Sequence, residues 1–418
     1  MRGAADLEEA WRHGRIVPLA APAERERRAL ADATGPAGLA ALERAWGPGV
    51  VVASGGSAGR RRWCLQPLAH LEASALATGG WLEGLGLDPA ACLHLNPLPL
   101  HHVSGLLPLV RCRVWGARHR RLEPAWLRDP ALLAEAVVLP ADRPALLSLV
   151  PTQLQRLLAV PAAEAWLRNL AVIWVGGAPL TEDLAQRARR ARLPLAPCFG
   201  ATETAAMVTA LAPGRFLAGA RGCGDPLPDV ELRIDPAGGA VQLRSDRLTP
   251  GWLEGGRLCP LPRREDGWWC SGDAGRLGPG GLELLGRLDG AIHSGGETVF
   301  PEDLERRLLE AAAHRGVPLQ ALLLLAEPDP EWGQRLEALV RPAEGAAAAD
   351  LVARLQQICA RWAAAERPRA WWICPDLAPT DLGKWQRGRW RKRLRALKAE
   401  QISPSPPADG DPQRQRDQ

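Results

Sequence analysis

The sequence contains no tyrosine, and it has only three phenylalanines and three lysines in 418 residues. Tryptophan, with 17 residues, and arginine, which supplies 49 of the 52 basic residues, are correspondingly abundant. This skew is typical of GC-rich coding, because arginine serves most solvated surface positions as well as lysine does. A lysine that remains in such a sequence is therefore unusually informative. The three are Lys384, Lys392 and Lys398.

Long hydrophobic runs are also missing. No apolar stretch approaches the roughly 18 to 20 residues that a membrane-spanning helix needs. Asp6, Glu8 and Glu9 precede any apolar run, which is unlike a secretory signal, so we expect a cytoplasmic protein. The nine cysteines include no C-x-x-C pair, which argues against a zinc site and against a disulfide framework.

With 46% hydrophobic and 24% charged residues, the composition excludes collagen-like, coiled-coil and wholly disordered chains. The length leaves room for a main domain and a smaller one. The net charge of +5 is concentrated near the C-terminus, because residues 383–400 contain eight Lys or Arg and one Glu. One basic segment is not the extended stripe of a nucleic-acid-binding protein. It fits either a solvated amphipathic helix or a site for an anionic partner.

Short apolar runs alternate with helix-like stretches, which predicts an α/β fold. Beyond residue 220, glycine, proline and short alternating segments indicate antiparallel β-structure, followed by a small α+β unit. The predicted strands are 50–53, 146–150, 171–175, 193–198, 230–234, 240–243 and 320–325. The predicted helices are 70–85, 153–158, one capped by Thr181, 301–312 and 349–365.

The change in texture also predicts the domain organisation. We place a large N-terminal domain at 1–286 and a small C-terminal domain at 287–400. The last segment, 401–418, is rich in Pro, Asp, Gln and Arg with almost nothing apolar, which predicts a disordered tail.

Three short segments could carry chemistry, and each also has a purely local explanation. Ser54-Gly55-Gly56-Ser57-Ala58-Gly59 follows a predicted strand and could cradle a phosphate, but such turns are also plain connectors. Phe199-Gly200-Ala201-Thr202-Glu203 offers a ring for a base and, after a turn at Gly200, oxygens for Mg²⁺, or it simply starts a capped helix. Ser271-Gly272-Asp273 puts a carboxylate after a turn, where it suits ribose hydroxyls or a local hydrogen bond.

The order of these segments resembles that of the adenylate-forming (AMP-binding) superfamily of acyl-CoA synthetases, from residue 50 to about 390. The resemblance implies a large α/β N-terminal adenylate-forming domain with β subdomains and a small mobile α+β C-terminal domain. It also implies ATP, Mg²⁺ and CoA. The motifs that match in family order are the phosphate loop 54–62, Pro99-Leu100-His101-His102-Val103-Ser104-Gly105, Gly176 to Leu180, Phe199 to Glu203, Ser271-Gly272-Asp273, the hinge motif Gly286 to Glu305, and Lys384.

Within the superfamily, three segments are most similar to the 2-succinylbenzoate:CoA ligases of menaquinone and phylloquinone biosynthesis. They are Ser148 to Leu154, His102 to Gly105, and Ser294 to Glu297. The implied reaction joins the acid to ATP as an acyl-adenylate with release of pyrophosphate, and CoA then displaces AMP. Another short aryl- or acyl-CoA ligase and a degenerate nucleotide-binding relative without turnover remain open alternatives. The expected partners are small molecules, with no nucleic acid and no membrane span.

The resemblance also implies a role for each matched residue. Lys384 would bridge the attacking carboxylate and the α-phosphate, Thr202 would hold that phosphate, and Glu203 would bind Mg²⁺. Asp289 would be the hinge of the small domain, and His102 would border the acyl pocket unless it is simply a packed histidine. The remaining ATP contacts would come from Ser54, Gly55, Gly56, Ser57, Gly59, Arg62, Gly177, Ala178, Pro179, Phe199, Gly200, Asp273 and Arg287, and the CoA path from Gly295 and Gly296.

Two features depart from the family pattern. In the phosphate loop, Ala58 replaces a usual hydroxyl, Arg61 replaces proline and Arg62 replaces lysine, so we expect reduced pyrophosphate handling. Only about 50 residues precede this loop, so we expect a trimmed N-terminal subdomain. An edge exposed in this way could be covered by a second subunit in a homo-oligomer.

Overall fold

The structure, a computed structural model, describes residues 3–35, 39–54, 62–236, 238–380 and 385–402. They form two compact units, the first from the described residues up to Ala291 and the second from those beginning at Ile292. None of the described helices is both long enough and apolar enough to cross a membrane.

The first unit contains both parallel and antiparallel strands with helices between them. Its helices are α1 (Ala4–Arg12), α2 (Glu24–Thr34), α3 (Ala40–Trp46), α4 (Leu68–Glu83), α5 (Val103–Trp115), α6 (Pro130–Ala136), α7 (Pro151–Leu157), α8 (Pro161–Arg168), α9 (Glu182–Arg190) and α10 (Pro213–Leu217). Its strands are β1 (Ile16–Leu19), β2 (Gly49–Ser54), β3 (Arg62–Pro67), β4 (Leu93–Asn96), β5 (Arg118–Arg121), β6 (Ala145–Leu149), β7 (Val172–Val175), β8 (Leu195–Ala201), β9 (Ala206–Ala210), β10 (Asp225–Pro226), β11 (Glu231–Ile234), β12 (Ala240–Arg244), β13 (Gly251–Glu254), β14 (Arg257–Pro260), β15 (Trp269–Gly278) and β16 (Gly281–Arg287).

A seven-stranded sheet, in the order β10-β9-β8-β7-β6-β4-β5, is the centre of this unit. Strands β5, β4, β6, β7 and β8 run parallel, and β9 and β10 continue the sheet antiparallel. Alternate residues of β7 face opposite cores: Ile173 and Val175 join one hydrophobic cluster, while Val172 and Trp174 join another. Both faces are therefore covered, as parallel sheets require, and the carboxyl ends of the strands are left for function.

Two smaller sheets complete the first unit. One has the order β1-β2-β3-β13-β14, in which β2 and β3 pair so that Ser54 lies opposite Arg62. The other has the order β11-β12-β15-β16, and in it Asp273 lies opposite Arg287. Pairing between distant segments thus brings motif residues far apart in sequence into register.

The second unit is a small α+β structure. Its elements are β17 (Ile292–Ser294), β18 (Glu297–Val299), α11 (Pro301–His314), β19 (Leu319–Asp329), β20 (Gly333–Pro342), α12 (Ala348–Cys359), β21 (Ala370–Ile373) and α13 (Arg387–Ile402). The sheet order is β18-β17-β20-β19, with β21 parallel to β20. One face of the sheet packs on α11 and α12, and the other packs on Trp390 and Leu394 of α13.

The structure confirms the expected α/β fold class with β subdomains, and most expected elements lie within a few residues of their predicted bounds. The helix expected at 349–365 was wrong at its C-terminal end, because α12 stops at Cys359 and only a short 3-10 turn follows at Ala364–Glu366. The expected turns at Gly200 and Gly272 were also wrong, since both glycines lie within strands. The tail predicted at 401–418 lies, from Ser403 onward, outside the described residues.

Candidate active site

The segment after β8 is shaped by a close approach of two backbones. Strand β8 pairs with β9 and is irregular between Phe199 and Gly200. A Cβ atom at Gly200 would lie 2.1 Å from the carbonyl oxygen of Ala206, so only glycine fits there. Thr202–Thr204 then form one 3-10 turn, and Ala205 and Ala206 adopt positive φ angles of 50° and 75°. This tight fold places Thr202 and Glu203 at the carboxyl end of the central sheet.

The buried Arg247 holds that fold in place. Its guanidinium donates to the carbonyl oxygens of Thr204 (2.6 Å) and Met207 (2.9 Å), and to the hydroxyl of Ser74 (3.1 Å). It also pairs with Asp229 at 2.6 Å, and its side chain is completely buried. Arg247 was not predicted from the sequence, because one more arginine in an arginine-rich chain carries no signal.

Thr202 lies beside the end of β2, where the phosphate-loop motif begins. Its hydroxyl donates to the carbonyl oxygen of Ala53 (3.4 Å), and its own carbonyl accepts from the Gln66 side chain (2.5 Å). Ser54, the next residue, is buried at the end of β2. The structure therefore brings together two predicted site segments that are separated by about 150 residues in the chain.

Glu203 forms a second group of contacts, with β3 and β13. Its carboxylate accepts a hydrogen bond from the indole of Trp252 at 3.1 Å, and its carbonyl accepts one from the backbone of Thr249 at 2.8 Å. The guanidinium of Arg62 lies over the Trp252 ring, 4.4 Å from its centroid. Trp252, which was not predicted from the sequence, thus links Arg62 to Glu203.

The loop after β7 contains Gly177, Ala178 and Pro179. Gly177 has a φ of 80°, which favours glycine. A Cβ at the preceding Gly176 would lie 2.9 Å from the Cys198 sulfur, so this loop lies close against β8 just before Phe199. Burial raises the pKa of the Cys198 thiol to about 12, so the thiol stays protonated, and it donates to the carbonyl oxygen of Val175 at 3.6 Å.

Asp273, Arg287 and Asp289 form a third group, on β15, β16 and the short 3-10 turn after β16. Arg287 lies 3.4 Å from the Asp273 carboxylate and 3.3 Å from that of Asp289, and it donates to the Ser271 carbonyl at 3.1 Å. Gly272 has a φ of 79°, a conformation that favours glycine at the position before the aspartate. Asp273 is thereby fixed with part of its carboxylate accessible.

The His102 motif begins α5. His102 is the residue at the N-terminal end of this helix, with its ring centroid 4.6 Å from that of His101. Gly105 packs so closely on the preceding loop that a Cβ would lie 2.3 Å from the Pro99 carbonyl oxygen. Asn96 closes the loop by donating to the Gly105 carbonyl at 2.8 Å. These contacts fix the loop that leads into α5.

Arg111 is the most unusual residue on α5. Only 4% of its surface is exposed, and its Nε has no hydrogen-bond partner. Among the described residues no carboxylate pairs with it, and its guanidinium lies 4.9 Å from the Trp174 ring centroid. Burial lowers the pKa of Arg111 to about 10, so it remains a cation at neutral pH. An arginine within an apolar helical run is visible in the sequence, and it could have identified Arg111 as a candidate site residue.

Several predicted residues are not part of these three groups. Gly295 and Gly296 lie in the second unit, in the turn between β17 and β18, with φ angles of 58° and 85°. A Cβ at Gly295 would lie 2.6 Å from the Trp332 ring. Gly55, Gly56, Ser57, Gly59 and Lys384 lie outside the described residues. The roles of all the predicted site residues stay predictions.

The groups around Thr202 and Glu203 suit a polyphosphate with a hard cation. The donors are carboxylate and hydroxyl oxygens, which Mg²⁺ prefers. In the described part of the chain no cluster of three or more His, Cys, Asp or Glu could hold a metal ion by itself. A single carboxylate still fits Mg²⁺, because this ion usually keeps several waters and shares its remaining ligands with substrate phosphates.

Comparisons with known proteins show what this chain is similar to. The family model described as "AMP-binding enzyme" matches residues 54–251. The 2-succinylbenzoate--CoA ligase of Enterococcus faecalis is 28% identical over 80% of this chain and 67% of its own length. That of Salmonella typhimurium is 34% identical over 68% of this chain and 56% of its own length. The chain thus spans about two thirds or less of these relatives. A probable 2-succinylbenzoate--CoA ligase of Mycobacterium tuberculosis is 29% identical over 81% of this chain and 82% of its own length.

Solved structures are similar as well. Escherichia coli MenE with a bound analogue of OSB-AMS has a TM-score of 0.63 and 26% identity, over 83% of this chain and 69% of that one. The o-succinylbenzoate CoA synthetase (MenE) of Bacillus subtilis, in complex with the acyl-adenylate intermediate OSB-AMP, has a TM-score of 0.67 and 22% identity. It covers 82% of this chain and 68% of that one, and at this identity it shows the fold alone.

Proposed function

We propose that the chain, whose residues 54–251 match the model of the AMP-binding enzymes, is an ATP-dependent acyl-CoA ligase that acts on 2-succinylbenzoate. The reaction would form an acyl-adenylate and pyrophosphate, and CoA would then displace AMP to give 2-succinylbenzoyl-CoA, a step of menaquinone or phylloquinone biosynthesis. Two things support the proposal: the shared name of the relatives, and the contacts among the motif residues.

The first half-reaction brings a carboxylate against a polyphosphate, so the site must neutralise charge and align the two groups. We assign Thr202 to the α-phosphate and Glu203 to Mg²⁺, which would screen the phosphates when bound. Trp252 fixes the Glu203 carboxylate by its indole N–H. We assign Arg62, whose guanidinium lies over the same indole, to the outgoing pyrophosphate together with Ser54, Gly55, Gly56, Ser57 and Gly59.

The other nucleotide contacts follow from the third group and from the loop after β7. Asp273, held by Arg287, would accept hydrogen bonds from ribose hydroxyls. Gly177, Ala178 and Pro179 would border the adenine, with Phe199 and Gly200 beside it. Lys384 would bridge the carboxylate and the α-phosphate as a point charge.

The thioester half-reaction needs a different arrangement, because Lys384 would obstruct CoA. We propose that the C-terminal domain, 287–400, rotates about Asp289 and that Gly295 and Gly296 then line the pantetheine path. His102, at the start of α5, would border the acyl pocket.

We propose that the buried Arg111 determines which acid the site accepts. In 2-succinylbenzoate one carboxylate is activated and a second one remains, so a site for this acid needs a further cation. Arg111 projects from the helix that His102 begins, and it reaches the face of β7 just before Gly176. A buried guanidinium without a protein carboxylate suits an anionic ligand group, with which it can form two parallel hydrogen bonds.

Pyrophosphate release measured with 2-succinylbenzoate, benzoate, a medium-chain acid and no acid tests the proposal. We expect release with 2-succinylbenzoate only, and formation of its CoA thioester when CoA is added. Release with the other acids alone would identify a different short acyl- or aryl-CoA ligase. No release with any acid would support a degenerate nucleotide-binding relative, which the altered phosphate loop favours.

Three further proposals concern the whole protein. We propose a cytoplasmic location, which all nine cysteines, present as free thiols, support. We propose that a second subunit covers the edge strand β1 in a homo-oligomer, which light scattering of the purified protein tests. We also propose that the altered phosphate loop slows pyrophosphate handling, because Arg62 is already stacked on Trp252.

A further inference from the structure

The Arg111 guanidinium is held by aromatic rings and not by hydrogen bonds. It has five N–H donors. Its Nε is buried without a partner, and in the described part of the chain no hydrogen bond or ion pair reaches its terminal nitrogens. The guanidinium carbon lies 4.9 Å from the centroid of the Trp174 ring, which is a cation–π contact.

Trp174 is itself fixed by neighbouring rings. It is 2% exposed on β7, and its ring centroid lies 5.9 Å from that of Trp81 and 5.5 Å from that of His94. His94 in turn stacks on Trp115 at 6.4 Å. We call Trp81, His94, Trp115 and Trp174 the aromatic cradle. It joins helices α4 and α5 to the sheet beneath Arg111.

The cradle leaves the charge of Arg111 unneutralised. Burial and the nearby Arg111 charge both lower the pKa of His94 well below its usual value, so His94 is neutral and neither repels nor pairs with the guanidinium. A ring face attracts a cation through its quadrupole and uses none of the N–H donors. The contact with Trp174 therefore leaves the N–H donors of Arg111 unused, and a planar anion could accept two of them in parallel.

A purely structural role explains this arrangement less well. Buried arginines that serve packing are paired, as Arg247 is with Asp229 at 2.6 Å. Arg111 and Arg247 lie in the same unit and are equally deep, yet only Arg247 has a carboxylate. The contrast indicates that the counter-ion of Arg111 comes from outside the protein.

We propose that Trp174 is a positioning residue that orients Arg111 and thereby sets the preference of the site for aromatic acids with a second carboxylate. The inference rests on the proposed ligase function. Trp174 does not touch the reacting atoms, so its effect should fall on the binding of the acid and not on the chemistry of ATP.

The test measures KM and kcat for 2-succinylbenzoate, and KM for ATP, in Trp174→Met and Trp174→Phe. We expect Trp174→Met to raise KM for 2-succinylbenzoate about tenfold, with kcat and KM for ATP changed no more than about twofold. Trp174→Phe keeps a ring face and should stay within about threefold of the wild type. In an Arg111→Leu background, Trp174→Met should have no further effect on KM.

Trp166→Met is the matched control. Trp166 is a buried tryptophan of the same unit, on the opposite face of the central sheet, where its indole donates to the Val137 carbonyl at 2.7 Å. This variant should lose stability without any change in KM for the acid.

The outcomes separate the two proposals. If the wild type does not turn over 2-succinylbenzoate, the proposed function fails. If the wild type turns it over and Trp174→Met leaves KM unchanged, or raises it equally in the Arg111→Leu background, the inference fails. If Trp174→Met does not fold, a double-mutant cycle of Trp174→Phe and Arg111→Lys replaces it. If the effect of the double variant on KM equals the product of the two single effects, the two residues are not coupled and the inference fails.

Discussion

Arg247→Met tests whether one buried guanidinium holds the segment that carries Thr202 and Glu203. The substitution keeps an unbranched side chain of similar length and removes the cation. It leaves the buried carbonyls of Thr204 and Met207 without donors. Each such loss costs about 1–3 kcal/mol.

Asp229 adds less to this loss, because its side chain is 30% exposed and can recruit water. The sum is about 3–5 kcal/mol, which agrees with the usual cost of breaking a buried ion pair. A typical domain is stable by only about 5–15 kcal/mol, so the variant should be near the limit of folding at 37 °C.

Urea unfolding followed by circular dichroism gives the magnitude. With an m-value of about 3 kcal/mol/M, the midpoint should fall by between about 1 and 2 M. Hydrogen exchange of the 199–210 peptide should accelerate at urea concentrations where the rest of the first unit is still protected. Arg244→Met is the control, because Arg244 lies three residues before Arg247 and forms an exposed ion pair with Glu231. It should leave the midpoint unchanged. Equal shifts in the two variants would show that burial of Arg247 is not what stabilises this segment.

Three further predictions concern the site and its environment. Lys384→Ala should slow adenylate formation about 100-fold or more, while thioester formation from a preformed acyl-adenylate changes little; equal losses in both half-reactions would contradict the assigned role. Trp252→Phe removes the donor to Glu203 and should raise the Mg²⁺ concentration for half-maximal activity about fivefold, whereas an unchanged Mg²⁺ requirement would separate the indole from metal binding. The first unit should lose stability as the pH falls below about 6.5. The pKa values of its buried histidines are lowered in the folded state, so these side chains bind protons more readily in the unfolded chain, and acid favours unfolding. A urea midpoint that is the same at pH 7.5 and 5.5 would contradict this. The histidines whose pKa is lowered, first of all by burial, are His70, His94 and His119.

Local patterns in the sequence predicted most of the fold. Apolar runs such as 171–175 placed β7 correctly, since a short buried strand needs little besides that run. Thr181 does cap α9, because its hydroxyl oxygen accepts a hydrogen bond from the backbone N–H of Leu184 at 3.4 Å. Where the expectation was wrong, tertiary contact had overridden a local rule: Gly200 and Gly272 serve close packing inside strands and do not make turns.

The residues that the sequence did not predict act over long separations. Arg247 contacts Ser74, and Trp252 contacts Glu203, from 173 and 49 residues away. No spacing rule connects such pairs, and the abundance of arginine and tryptophan hides them further. Arg111 differs, because its apolar helical surroundings were visible in the sequence, although its lack of a carboxylate partner was not.

The indole between Arg62 and Glu203 has an evolutionary consequence. A planar guanidinium stacks on a ring face better than an ammonium does, so the arginine at 62 and the tryptophan at 252 are suited to each other. Substitution of Arg62 by lysine alone would weaken the stacking on the ring, and loss of the ring alone would free both Arg62 and the Glu203 carboxylate. The two positions are therefore epistatic, and a lineage could exchange one only together with the other.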